Sequence, residues 1–220
     1  LAHTKGATYA GYSKWNGNNW VTIEGEILDS ELENGRIDYP IRYHVSRSGF
    51  DSFDLDNDGN PYIVWCDFVP IDRTSGFGTV GIGLIRGKSN GWVNLYGEEW
   101  MPEQRNHLIN EMNNDTDFYS DTTPDITIDD TNKLHLVWKK VTYCEESYGI
   151  KSSTSHYAKW DGKNWTSIDG QILNNKNKID FGLISTDTYR NPIIYLGKNN
   201  KPIIIFGDKY YLTVAKDGEE

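Results

Sequence analysis

The stretch YSKWNGNNWVTIEGEIL, Tyr12 to Leu28, returns 145 residues later as YAKWDGKNWTSIDGQIL, Tyr157 to Leu173, with ten of seventeen positions identical. A shorter intermediate copy, NGWVNLYGEEW, places Trp92 between Trp20 and Trp165 at spacings of 72 and 73 residues. Such a period marks a chain built from repeated supersecondary units, and it takes precedence over any local reading. A second element precedes the first in each period: SFDLDNDGNPYIVWCD from Ser52, DITIDDTNKLHLVWKK from Asp125 and IIYLGKNNKPIIIFGD from Ile193. Trp65, Trp138 and Phe206 hold matching places in it.

Each element is a short β-rich run, a turn of Asp, Asn, Gly, Lys or Pro, and a second β-rich run, which reads as a hairpin. Asn16-Gly17 and Asp161-Gly162 supply the positive φ that tight hairpin turns require. A unit therefore holds four antiparallel strands, a and b in its first hairpin and c and d in its second. Tandem four-stranded units predict an all-β chain of β-propeller blades; a β-sandwich or β-solenoid is the alternative. The chain carries about three blade equivalents of about 72 residues: a partial unit 1 (1–49), units 2 (50–122) and 3 (123–191), and a partial unit 4 (192–220). Closed propellers have four to eight blades. The ring is thus expected to take its missing blades from the rest of a longer chain or from another copy. The one expected short helix is Glu103 to Met112.

The pairing of DLDNDGNPYIVW with YAKWDGKNWT resembles the extracellular β-propeller repeats of bacterial and archaeal proteins related to the sialidase-type (BNR) propellers. The resemblance implies architecture and an extracellular or cell-surface location, not an activity. The sialidase Asp-box lies between the third and fourth strands of its blade, whereas here the Asp/Gly turn lies between a and b. Sialidase catalysis is not carried over.

With 22 Lys+Arg against 32 Asp+Glu, a net charge of −10 argues against a nucleic-acid partner. No apolar run approaches the roughly 20 residues of a membrane-spanning helix. Two cysteines, Cys66 and Cys144, define neither a disulfide framework nor a zinc site. The start at Leu1 fits a processed secreted protein or a piece of a longer one, and the triplets Asn114-Asp115-Thr116 and Asn164-Trp165-Thr166 fit an exterior location.

The a–b and c–d turns are tight, whereas the b–c links (about 67–77 and 140–155) and the d–a links (about 29–49, 98–124 and 174–191) are long. All long links emerge at one end of the units, which is where binding groups are expected. Seven of the eight Trp belong to the repeated hairpins and read as packing residues. Trp100 has Leu28 and Leu173 at its equivalent places, which makes it a candidate for stacking on a sugar ring. Arg42, Tyr43, His44 and Arg47 in one link, and Glu103, Arg105, His107 and Glu111 in another, are polar candidates for clamping a carboxylate or moving a proton, with solvated loop charge as the alternative. Asp54, Asp56 and Asp58 before Gly59 have the alternating carboxylates of a calcium loop. Trp65 stands at the twelfth position where a calcium loop has Glu, and Asp56 and Asp129 read first as turn formers. No other cofactor is expected. The functional expectation is an extracellular binding module presenting the long links to a glycan or protein. The alternatives are a polysaccharide lyase or glycoside hydrolase, and a structural cell-surface assembly protein.

Overall fold

The computed structural model describes residues 2–4, 10–28, 38–41, 45–70, 78–100, 118–143, 150–173, 183–186, 191–207 and 212–216. Among the described residues the elements are strands apart from one 3-10 turn, Lys198–Asn200. Unit 1 holds β1 (Ala2–Thr4), β2 (Ala10–Tyr12), β3 (Lys14–Trp15), β4 (Trp20–Val21) and β5 (Asp38–Ile41). Unit 2 holds β6 (Val45–Leu55), β7 (Pro61–Pro70), β8 (Gly78–Lys88) and β9 (Gly91–Val93). Unit 3 holds β10 (Phe118–Ile128), β11 (Leu134–Tyr143), β12 (Ile150–Trp160), β13 (Trp165–Thr166) and β14 (Leu183–Thr186). Unit 4 holds β15 (Ile193–Leu196), β16 (Pro202–Gly207) and β17 (Leu212–Lys216). Units 2 and 3 are antiparallel meanders in strand order, joined into one nine-stranded sheet by a single parallel bridge between Ser120 and Val80. Among the described residues no sheet closes on itself.

Backbone hydrogen bonding repeats more faithfully than the sequence does. The Trp20, Trp92 and Trp165 carbonyls each accept from an N–H eight residues on, that of Leu28, Trp100 or Leu173. Between them Thr22, Asn94 and Ser167 each open a turn that closes on Gly25, Gly97 or Gly170, at φ of 91°, 84° and 81°. This is the three-residue hairpin loop in which a left-handed glycine ends a tight turn. The a–b turns use the same scheme, with Gly59 (φ 78°) and Asn132 (φ 60°) in the left-handed place.

Two features of the links differ from the sequence expectation. Strands a, b and c run on into them: β7 and β8 form a hairpin that reaches Pro70 and Gly78, and β6 and β10 begin at Val45 and Phe118. The d–a links also return a short extra strand to c, with β5 paired to β2 and β14 to β12. The expected helix at 103–112 lies outside the described residues.

Alternation along the strands gives units 2 and 3 two apolar faces each, because each lies between two neighbouring units. Ile63, Trp65 and Ile85 of unit 2 pack back on Tyr12 and Ile23 of unit 1. Tyr62, Val64, Ile82 and Leu84 pack forward on Leu134, Leu136, Trp138, Trp160 and Trp165 of unit 3. Unit 3 repeats the arrangement, sending Val137 and Tyr157 forward onto Ile194 and Ile204 of unit 4. Trp65 fits because its cross-strand partner is Gly83: a Cβ there would lie 2.3 Å from the indole ring. In unit 3 the matching pair is Trp138 stacked on His156, with centroids 5.1 Å apart.

Polar side chains link successive a strands and a–b turns. Ser52 Oγ donates to Asp125 Oδ1 (2.6 Å), whose Oδ2 accepts from the Ile194 amide (3.0 Å). Asp54 Oδ2 accepts from the Ile128 amide at 2.8 Å. Asn57 donates to the Asp130 carbonyl, and Asn200 Nδ2 donates to the Asp130 carboxylate.

Candidate functional site

The buried carboxylates Asp56 and Asp129 organise the a–b turns of units 2 and 3. Asp56 Oδ1 accepts from the amides of Asp58 (3.1 Å) and Asn60 (2.8 Å), and its Oδ2 from the Arg86 guanidinium at 2.7 Å. Asp129 Oδ1 accepts from the Thr131 amide and hydroxyl and from the Lys133 amide, at 2.9, 2.6 and 2.9 Å. Burial alone would raise both carboxyl pKa values. These hydrogen bonds outweigh it, with Arg86 helping at Asp56 and His135 and Lys159 at Asp129, and hold both groups below the usual carboxylate range.

Unit 3 adds a buried chain that unit 2 lacks. His135, on β11, directs Nε2 at Asp129 Oδ2 (3.2 Å) and Nδ1 at the Tyr157 hydroxyl (2.9 Å). Burial depresses the His135 pKa more than the Asp129 hydrogen bond raises it, so the imidazole is neutral. A carboxylate only accepts, so Nε2 carries the proton and Tyr157 donates to Nδ1. Lys159 Nζ closes the cluster 3.1 Å from Asp129 Oδ2. At the equivalent positions unit 2 has Tyr62, Leu84 and Arg86, with the guanidinium 5.2 Å from the Tyr62 ring centroid.

Over this cluster lies a recess of about 440 Å³ between units 3 and 4. Its walls include Thr131, Lys133, Lys159, Ser167, Asn200 and Lys201. Of the three lining lysines, Lys159 is paired with Asp129, the single lining carboxylate; outside the lining, Asp169 accepts from Ser167, Asp130 accepts from Asn200, and Asp161 is within electrostatic reach of Lys133. The corresponding junction between units 2 and 3 is filled by Trp160 and Trp165, with Tyr96 edge-on to Trp160 at 5.5 Å. In the sequence Lys159 is followed by Trp160, but its counterpart Lys216 is followed by Asp217. His135 and Tyr157 at the floor are 0% and 2% exposed. What the recess can do chemically is hold an anion with ammonium, hydroxyl and amide groups.

This recess sits beside the tight a–b turns, not at the end carrying the long links. Lys133 and Lys201 occupy one repeat position, as do Lys159 and Arg86, and that recurrence of cations was the available sequence signal. Trp100, expected to stack on a sugar, is buried (9%) and meets Trp65 edge-on at 5.7 Å; its indole fills the place of Leu28 and Leu173 in the core. The calcium candidates do not converge: Asp54 turns to the Leu55 and Ile128 amides, Asp56 to its own turn and Arg86, and Asp58 lies on the exposed turn. Among the described residues no group of three or more His, Cys, Asp or Glu is placed to hold a metal ion. Arg42, Tyr43, His44, Glu103, Arg105, His107, Glu111 and Cys144 lie outside the described residues, and for Arg47 only the backbone, within β6, is described. Cys66 is buried. No described helix is long and apolar enough to cross a membrane.

No protein-family profile matches the sequence, and no curated protein matches it. Solved structures similar to this chain include the following three. The polysaccharide lyase Uly1 has a TM-score of 0.46 and 10% identity, over 99% of this chain and 46% of that one. A protein of unknown function from Dyadobacter fermentans DSM 18053 gives 0.43 and 11%, over 93% and 52%. An endo-1,5-α-L-arabinanase from Thermotoga petrophila RKU-1 gives 0.42 and 13%, over 94% and 48%. The chain spans about half the length of each.

Proposed function

We propose that the units are blades of an extracellular β-propeller and that the chain is a binding module whose recess between units 3 and 4 receives the acidic group of a glycan. The observation that carries this reading is a lining that includes Lys133, Lys201 and the Asp129-paired Lys159 with neighbouring hydroxyl and amide donors, on a chain of net charge −10. A recess of about 440 Å³ lies within the range of small-molecule sites. The packing of the apolar faces of successive units on one another supports the blade reading. Binding is favoured over catalysis at this place because the His135–Tyr157 pair on the floor of the recess has almost no exposed surface and its members are bonded to each other.

Titration calorimetry against oligosaccharides with and without uronate tests the proposal. Acidic oligosaccharides are expected to bind and to weaken with added salt, and Lys133→Gln with Lys201→Gln is expected to lower affinity about tenfold or more, as loss of charge-assisted hydrogen bonds requires. Equal affinity for neutral and acidic sugars, or an unaffected double variant, would refute it. Unsaturated-uronate absorbance growing with time would replace the module with a lyase.

A further inference from the structure

The floor of the recess holds an imidazole with both nitrogens engaged. His135 Nε2 lies 3.2 Å from Asp129 Oδ2, and Nδ1 lies 2.9 Å from the Tyr157 hydroxyl. Both rings border the recess. While the imidazole is neutral the chain of donors runs inward: Tyr157 donates to Nδ1, and Nε2–H donates to Asp129. A second proton, on Nδ1, reverses the Tyr157 end. An imidazolium donates from both nitrogens and accepts at neither, so the Tyr157 oxygen becomes the acceptor of Nδ1–H and its own O–H turns away from the ring. An anion in the recess that Tyr157 borders is an acceptor for that hydroxyl.

The charges around His135 act in the same direction. The a–b turn of unit 3 contributes Asp129 and Lys133, β12 contributes Lys159 beside the Tyr157 phenol, and the a–b turn of unit 4 contributes Lys201. β10 presents the uncharged Thr127 opposite His135, and the turn after β13 presents Ser167, which Asp169 holds from outside the lining. Burial is the first cause that keeps the second proton off the ring, and Lys159 and Lys133 add to it against the pull of Asp129. An anion seated among the lysines offsets their share and attracts the imidazolium as well.

We infer that an anionic group enters this recess together with one proton, which His135 takes from solvent while Tyr157 turns its hydroxyl from the imidazole to the anion. The inference names the regulation of the site assigned above and rests on that assignment. No covalent bond forms, Tyr157 stays neutral, and the added proton resides on Nδ1. Coupling of this kind is reciprocal: a ligand that strengthens proton binding is itself held more tightly where protons are plentiful. Affinity for an anion therefore rises as pH falls, between one plateau with the imidazole neutral in both states and another with it charged in both.

Titration calorimetry with trigalacturonate at pH 7 and pH 5, in buffers of differing protonation enthalpy, tests this. Carboxylates with a pKa of about 4 stay largely ionised at both values, so the ligand's charge changes little. The wild type is expected to bind about threefold or more tightly at pH 5 than at pH 7, with net proton uptake. In proton NMR the His135 C2–H signal, assigned by its absence from His135→Gln, is expected to titrate at higher pH when the ligand is present. His135→Gln can still donate to Asp129 and accept from Tyr157 but takes up no proton, so its affinity is expected to be flat across this range. Should that variant fail to fold, Tyr157→Phe is expected to lose most of the gain at pH 5. Equal wild-type affinity at the two pH values, or a pH response that survives in His135→Gln, would overturn the inference and leave the binding reading standing. Trigalacturonate that binds at neither pH would overturn both.

Discussion

Replacing Asp129 with Asn is nearly isosteric and separates what its two oxygens do. The side-chain amide oxygen can keep the Thr131 and Lys133 donors that hold the a–b turn. The amide nitrogen cannot accept from His135 Nε2–H or from Lys159, now 3.2 and 3.1 Å from Oδ2. A buried hydrogen bond to a charged group contributes about 1.5–3 kcal/mol. The Lys159 pair, with 26% of that side chain exposed, is screened and adds under about 1 kcal/mol. His135 recovers part of the loss by moving its proton to Nδ1, leaving a net cost of about 2 kcal/mol, or roughly 4–8 °C in Tm for a chain of this size. Asp129→Ala also loses the turn bonds and is expected to cost about 4 kcal/mol. Acid has the same sign in the wild type. The Asp129 pKa lies lower in the folded state than in the unfolded chain, so its stabilisation is complete above about pH 4 and is lost as pH falls through the folded value. The folded pKa of His135 also lies below its unfolded value, so the unfolded chain binds the proton first and stability declines as pH drops below about 6.5. Urea unfolding from pH 7 to 4 reads the His135 contribution, and extending the series to pH 2 brings in that of Asp129. Unfolding energies within about 0.5 kcal/mol of wild type for both variants, with a flat acid profile, would refute this account of the cluster.

Gly83→Ala pushes a methyl group to 2.3 Å from a Trp65 ring already fixed against Trp100, and is expected to cost about 2–3 kcal/mol in denaturant unfolding; combining it with Trp65→Leu should cost clearly less than the sum of the two, and simple additivity would count against the clash. Asp125→Ala removes the acceptor that Ser52 and the Ile194 amide share, so hydrogen exchange at Ile194 should quicken about tenfold while Leu136, inside unit 3, changes little. Equal acceleration at both sites would mean that the carboxylate stabilises the whole array rather than one junction.

Much of the strand pattern was legible in the sequence because turn chemistry and hydrogen bonding both recur. Gly25, Gly97 and Gly170 need positive φ, and the residues around them repeat wherever that geometry does. The core role of Trp65, Trp92, Trp138, Trp160 and Trp165 followed from the period, whereas Trp15 and Trp20 are exposed, and Trp100 misled because difference from Leu28 and Leu173 was read as function. Volume explains it instead: a larger side chain at that position meets Trp65, whose partner across the strand is glycine. The recess was missed for the opposite reason. Lys133, Lys159 and Lys201 are scattered through the sequence, and only the stacking of units 3 and 4 brings them together. The length of the links was overestimated because β6, β7, β8 and β10 continue through polar and Gly-rich stretches, where register is held by neighbouring strands rather than by local propensity.

The junctions divide labour in a way that the repeat alone conceals. Turn geometry is shared by every unit, whereas the residues facing forward change step by step: Ser52, Asp54 and Tyr62 in unit 2, Asp125, Thr127 and His135 in unit 3, Ile193, Tyr195 and Ile203 in unit 4. In an array of stacked units, stability is approximately a sum of nearest-neighbour terms, and an end that meets only water needs a polar face. Unit 4 does the reverse, since the polar residues that hold internal junctions give way to apolar ones where no further unit is described. Exposing about half of Tyr195 and of Trp15 forfeits roughly 1 kcal/mol or more of burial each.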